Sequence, residues 1–135
     1  MRLKAVDDSP LPWRPKGETR SEQFEYFCQR FLKVGKGNQG LKPLVLRDWQ
    51  RDLSADILDS PTRLACICLP RGNGKSSLLA AYAAFECFTY GESAQIVVCA
   101  VDQRQAGIIY GAAKRFIELA PEFAARCQIE KERIY

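Results

Sequence analysis

The chain has 135 residues, 47% of them apolar and 27% charged, with a formal net charge of +4. That balance fits one small globular domain and argues against a disordered chain or a polybasic nucleic-acid arm. Residues 1–60 carry eleven basic and nine acidic side chains, and residues 61–135 carry nine and seven. Histidine is absent, which excludes histidine-based catalysis and histidine-ligated zinc within the chain.

Six cysteines are present, and their placement argues against a disulfide scaffold. Cys66 and Cys68 alternate with apolar residues in Leu64-Ala65-Cys66-Ile67-Cys68-Leu69, Cys99 ends Ile96-Val97-Val98-Cys99, and Cys28 and Cys87 fall in helical patterns. They read as small core hydrophobes of a reducing compartment. The Cys66-x-Cys68 pair is a weak metal signal, because no second Cys or His pair complements it. The first ten residues lack the apolar core of a signal peptide. The longest strictly apolar run, Leu78 to Phe85, falls short of the roughly 18 residues that cross a bilayer. A soluble, cytoplasmic protein with no membrane partner is expected.

Residues 1–18, rich in Pro, Asp and Lys and without periodicity, read as an extended N-terminal arm, followed by one domain over 19–135. Thr19 with Glu22 three residues later is a capping-box pattern. Phe24, Phe27, Cys28, Phe31 and Leu32 then trace one apolar helical face. Gly35, Gly37 and Gly40 break that helix into a flexible loop. A second helix is expected from about Arg47, burying Trp49, Leu53 and Ile57 and stopping at Asp59-Ser60-Pro61. Residues 63–69 have the composition of a strand buried on both faces, Pro70 to Lys75 of a loop, and 76–90 of a helix packed between layers and ended by Gly91. A second buried strand is expected from Gln95 to Val101. A helix capped by Asp102 or Gln105 then carries Ala106, Ile109, Tyr110, Ala113, Phe116, Ile117 and Ala120 on one face and is closed by Pro121. Gln128 to Tyr135 reads as a further strand. Strand, loop, helix, strand, helix is the opening of an α/β fold with a parallel sheet flanked by helices.

The most informative stretch is Leu69-Pro70-Arg71-Gly72-Asn73-Gly74-Lys75-Ser76-Ser77. Glycines allow successive backbone N–H groups to turn inward as an anion nest, and a following helix N-terminus adds unpaired N–H groups and the positive end of its dipole. In a phosphate-binding loop of this kind Lys75 contacts the β- and γ-phosphates of a nucleotide and Ser76 places its hydroxyl on Mg²⁺. The remaining residues of the stretch, Pro70 to Gly74 and Ser77, line the same nucleotide site. The strict pattern requires a glycine where Leu69 stands, so the Gly-Lys-Ser core is a moderately specific signal. The competing reading is a glycine turn capped by Ser76 with a solvated lysine.

These residues resemble the large terminase subunits of tailed bacteriophages, whose deviant Walker A loops have the form Arg-x-x-Gly-Lys-Ser/Thr, matched here by Arg71-Gly72-Asn73-Gly74-Lys75-Ser76. Upstream, Gly40 to Leu44 leading into Leu46-Arg47-Asp48-Trp49-Gln50 is similar to the family's adenine-recognition segment. Downstream, Val98 to Ala106 resembles its second core strand and following helix. The resemblance spans about residues 20–135. It implies the N-terminal portion of a P-loop ATPase, with an incomplete parallel sheet, using ATP and Mg²⁺. Gln50 would contact adenine, an amide being able both to donate to and accept from the base edge, unless it is an exposed helix glutamine. Trp49 would support the nucleotide or serve as a buried anchor. Arg71 would stabilise the transferring phosphoryl group as an arginine finger, or simply bind phosphate or a neighbouring carboxylate. The basic stretch from Arg30 to Arg51 faces DNA, a neighbouring subunit or solvent, and Gln103 and Gln105 couple the core to DNA or ATP or serve helix capping.

The resemblance also implies double-stranded DNA, a portal protein and a small terminase subunit as partners, a homo-oligomeric motor, and the cytoplasm of a bacterial host. Hydrolysis needs an acidic strand end for Mg²⁺ and a glutamate to orient water. The family supplies them as Asp-Glu, and no Asp-Glu pair occurs here. Nor does the chain carry the carboxylate cluster with which the family's nuclease domain would hold two metals. The expectation is therefore a truncated packaging ATPase that binds nucleotide and does not hydrolyse it efficiently by itself. The alternatives are a fragment of a superfamily helicase, which usually keeps the first loop glycine and has Thr after Lys, and a non-catalytic nucleotide-binding or interaction module.

Overall fold

A computed structural model describes residues 5–35, 40–90 and 94–135. Its elements in chain order are α1 (Arg20–Phe31), β1 (Lys33–Val34), β2 (Lys42–Pro43), α2 (Asp48–Leu58), α3 (Lys75–Thr89), α4 (Gln103–Leu119) and α5 (Pro121–Ala124). They belong to two compact units, one of residues 14–75 and one combining 1–13 with 76–135.

In the first unit, α1 starts where the capping box places it. Thr19 Oγ1 accepts from the Glu22 N–H at 3.3 Å, and the Glu22 carboxylate accepts from the Thr19 N–H at 3.3 Å. The expected apolar face is the buried one: Phe24, Phe27, Cys28, Phe31 and Leu32 are all 2% exposed or less. Phe27 and Phe31, one turn apart, meet in a tilted ring pair with centroids 5.3 Å apart. The chain leaves α1 through β1 and returns as β2, an antiparallel pair in which Lys33 faces Pro43 and Val34 faces Lys42. The loop expected at Gly35, Gly37 and Gly40 lies partly outside the described residues. Gly35 adopts φ +118°, and a Cβ there would meet the Gly40 carbonyl at 1.9 Å, so glycine is required.

Helix α2 has the expected bounds, but the buried positions shift. Gln50 and Ser54 are buried, whereas Trp49, Leu53 and Ile57 are half-buried. The polar groups are satisfied locally: Gln50 Oε1 accepts from the Arg47 N–H at 2.9 Å, and Ser54 Oγ donates to the Gln50 carbonyl at 2.6 Å. Capping by the third helical residue thus turns Gln50 inward and rotates the buried face by one position. Asp59, the C-cap, accepts from the N–H of Ser21, tying the end of α2 to the start of α1.

The second unit has its core along α3 and α4. Leu78, Ala80, Ala81, Ala84 and Phe85 are buried on α3, and Phe116 and Ile117 on α4. Asp102 caps α4 by accepting from the Gln105 N–H at 2.9 Å. Pro121 does more than stop α4. It opens α5, where a missing N–H costs nothing, and α5 delivers Phe123 to the core, stacked on Phe88 at 4.2 Å. Arg126 then clasps residues 7–10: Nε donates to the Ser9 carbonyl, Nη2 to Ser9 Oγ and the Pro10 carbonyl, and Nη2 pairs with Asp7 at 3.2 Å. Residues 128–135 form a tight hairpin with a single Ile129–Ile134 bridge, where a strand was expected.

The expected parallel sheet is not formed among the described residues. Their only sheet is the antiparallel β1–β2 pair. Residues 63–69 and 94–101 carry no strand pairing, and several of their apolar side chains are out in solvent, with Leu64 89%, Val97 77% and Val101 95% exposed, while Ile67, Leu69 and Val98 are half-buried. An apolar run states what a segment would bury, and only a neighbouring strand and a covering layer can bury it. Four of the six cysteines follow the same correction: Cys28 and Cys127 are buried, while Cys66, Cys68, Cys87 and Cys99 are exposed.

Candidate functional site

The loop from Leu69 to Lys75 takes its shape from two glycines. Gly72 and Gly74 adopt φ +83° and +74°, the left-handed region that side-chain-bearing residues disfavour. A Cβ built on Gly72 would meet nothing within 4 Å. Its role is therefore conformational, and the space beside it is open. Between them, Asn73 Nδ2 donates to the Pro70 carbonyl at 3.1 Å and closes the turn on itself.

Lys75 is half-buried, and its Nζ donates to the Leu69 carbonyl, so the ammonium is folded back across the loop. It is also the first residue of α3, with Ser76 and Ser77 next in the first turn, both half-buried. The loop therefore runs directly into a helix N-terminus whose first turn contains no acidic side chain. The charge pattern is one-sided: between Asp59 and Glu86 the chain has Arg63, Arg71 and Lys75 and no carboxylate. Arg71 is exposed at the start of the turn. Positive charge, inward-capable N–H groups and a helix dipole are the chemistry of an anion cradle.

Gln50 joins this loop from a distant part of the sequence. It is 8% exposed, and a Cβ built on Gly74 would lie 4.0 Å from its Nε2. Its Oε1 is engaged by the Arg47 N–H, which fixes the amide so that Nε2 is the end toward the loop. Trp49, the preceding residue on α2, is half-buried. The remaining candidates are used within the fold. Gln103 bonds the Glu132 carboxylate, and the Gln105 N–H serves the α4 cap. Arg51 pairs with Glu25 and Asp48, each at 2.8 Å, and Arg30 lies over the Phe31 ring at 4.9 Å. The basic stretch is thus partly consumed by internal pairing; Lys36 lies outside the described residues.

Sequence reasoning missed the Leu69 carbonyl as the partner of Lys75, because a backbone acceptor has no signature in composition. It also missed the closeness of the Cys66 and Cys68 sulfurs, 3.7 Å apart, although their i, i+2 spacing was the available signal. Among the described residues no group of three or more His, Cys, Asp or Glu side chains could hold a metal ion, and no helix is long and apolar enough to cross a membrane.

No family profile matches the chain. A relative, the large terminase subunit of Enterobacteria phage HK97, is 30% identical over 108 residues, covering 77% of this chain and 21% of the relative. The crystal structure of the HK97 bacteriophage large terminase superposes with a TM-score of 0.77 at 27% identity, covering 86% of this chain and 25% of that one. The chain thus spans about a quarter or less of the length of the proteins it matches. On sequence and structure together, the chain belongs to the large terminase subunits of bacteriophages, of which it represents one part.

Proposed function

We propose that this chain is the ATP-binding segment of a phage DNA-packaging motor, with the nucleotide held between the Pro70–Ser77 loop and Gln50. The observation that carries the reading is the meeting of two sequence-distant features: the positive-φ Gly72–Gly74 turn and the buried Gln50 amide beside it. The donor set fits a nucleotide polyphosphate. The open space at Gly72, the one-sided positive charge and the start of α3 suit an anion, and an oriented amide donor suits a base edge.

Pro70 to Gly74 and Ser77 would line the phosphates, Lys75 would leave the Leu69 carbonyl for the β- and γ-oxygens, and Ser76 would present its hydroxyl to Mg²⁺. When bound, the cation would supply neutralisation of the phosphate charge. Gln50 Nε2 would donate to the adenine edge with Trp49 alongside, and Arg71 would stabilise charge on the γ-phosphoryl group. In the whole motor, residues 63–69 and 94–101 would enter a P-loop-type parallel sheet, which gives their exposed apolar side chains a purpose. Double-stranded DNA, a portal protein, a small terminase subunit and further copies of the motor subunit are the partners this reading implies, in the cytoplasm of a bacterial host.

Binding without efficient turnover is expected of the 135-residue chain, because it carries no Asp-Glu pair to organise Mg²⁺ and water. The test is titration of a fluorescent ATP analogue with Mg²⁺ into the chain and into Lys75→Ala, with phosphate release followed in the same samples. Saturable binding that the variant loses, with negligible release, supports the reading. Equal binding by both proteins would sink it, and robust Lys75-dependent release would overturn the requirement for the acidic pair.

A further inference from the structure

Helix α2 lies against α1 with a polar stripe turned inward, which is not the setting its apolar residues favour. Gln50 and Ser54 are buried, whereas the stripe one position away, Trp49, Leu53 and Ile57, is only half-buried. One position is about 100° of rotation, so turning α2 by that amount would cover the apolar stripe and carry Gln50 away from Gly74. Hydrophobic burial alone therefore does not aim the Gln50 amide. Nor do the bonds that Gln50 makes to Arg47 and Ser54, since both lie within α2 and turn with it. Directional contacts between the two helices resist the turn. Asp59 holds the Ser21 N–H at 2.9 Å, but it stands at the far end of α2, beyond the last turn. Arg51 follows Gln50 directly, and its Nε donates to Glu25 of α1 at 2.8 Å. Asp48 accepts from Arg51 Nη1 at 2.8 Å and steadies the guanidinium on its own helix.

We propose that Glu25 is a positioning residue for base recognition: through Arg51 it holds the first turn of α2 at the rotation that points Gln50 Nε2 toward the Gly74 turn. The consequence for the base rests on the nucleotide reading above, whereas the rotation rests on the two helices alone. With side chains 43% and 29% exposed, the Arg51–Glu25 pair is partly screened by water, so its loss should shift an equilibrium by roughly two- to fivefold. That is little against unfolding. It is enough to redistribute one helix between two rotations, because the alternative setting gains apolar burial.

The experiment compares Glu25→Ala with Glu25→Gln, which keeps an oxygen acceptor for Arg51 Nε, and circular dichroism checks that both retain their helices. In a Trp13→Phe background the fluorescence reports Trp49 alone. Without nucleotide, Glu25→Ala should move that emission to shorter wavelength as the ring becomes covered, and Glu25→Gln should stay close to the parent. With Mg²⁺, the ratio of affinities for ATP and GTP analogues should fall roughly two- to fivefold in Glu25→Ala and recover in Glu25→Gln. Inorganic tripolyphosphate should compete equally in all three proteins, whereas a merely structural role would weaken it along with the nucleotides. Trp49 emission that is unchanged in Glu25→Ala, or shifted to longer wavelength, would overturn the proposal. So would an unchanged ratio in Glu25→Ala where Gln50→Glu abolishes it. A ratio that Gln50→Glu leaves intact instead removes Gln50 from the nucleotide reading, and the emission still decides whether Glu25 sets the helix.

Discussion

Gln50 carries two roles at its two ends, and a single substitution separates them. Its Oε1 caps α2 by accepting from the Arg47 N–H, while Nε2 faces the loop at Gly74. Gln50→Glu keeps an acceptor for the cap and removes the amide donor. Its melting temperature should therefore stay close to that of the parent, while its preference for ATP over GTP analogues collapses. Gln50→Ala should lose both, with about 1 kcal/mol of stability gone with the cap. Competition binding and thermal denaturation read the two effects, and unchanged base preference in Gln50→Glu would remove the glutamine from the site. Gly74→Ala is a different test. A methyl there would stand 4.0 Å from Gln50 Nε2, an ordinary contact, so the cost is backbone strain of about 1–2 kcal/mol at φ +74°. That variant should bind nucleotide more weakly than the parent in the same titration, and parental affinity would mean that the left-handed turn is not needed for binding. The glycines were legible because only conformation is asked of them. The orientation of Gln50 was not, since the apolar periodicity of α2 favours Trp49, Leu53 and Ile57, and the backbone cap outweighed it.

Helix starts were readable because capping is local. Thr19 and Glu22 are three residues apart and satisfy each other's N–H groups, so Thr19→Ala should cost about 1 kcal/mol, measurable in urea denaturation. The Arg126 clasp was not readable, since it joins residues 117 apart in sequence. In Arg126→Ala the chain should be cut faster after Trp13 by chymotrypsin, with α3 and α4 intact by circular dichroism. The acid end of the clasp gives a pH test. Asp7 is held below its ordinary value of 3.8 by hydrogen bonds from Ser9 and by the charge of Arg126. A depressed carboxylate adds stability that is present above the ordinary value and lost as pH falls through the lowered one. Release of the arm, followed by hydrogen exchange at Asp7 and Ser9, should therefore set in only below about pH 3.8. Release beginning near neutrality would mean the carboxylate is not part of the clasp.

At the scale of the molecule, the helices satisfy their own backbone groups, whereas 63–69 and 94–101 depend on neighbours. A helix completes its hydrogen bonds within one segment, which is why α1 to α4 stand where the periodicity put them. A strand's N–H and C=O groups are satisfied only by another strand, and its apolar faces only by a covering layer, so the same composition that reads as sheet leaves Leu64, Val97 and Val101 in water here. Hydrogen exchange measures this directly. Amides of 64–69 and 95–101 should exchange orders of magnitude faster than those at the centres of α1 and α4, because opening them breaks no ladder. Adding an ATP analogue with Mg²⁺ should slow exchange from Gly72 to Leu78, where N–H groups would close on phosphate, and leave 95–101 fast. Strong protection of both extended segments before nucleotide is added would mean that they pair in solution, and the sheet would then be a property of this chain. Protection confined to the loop would instead place the phosphate cradle within these 135 residues and the pairing of its strands with partners the chain does not itself supply.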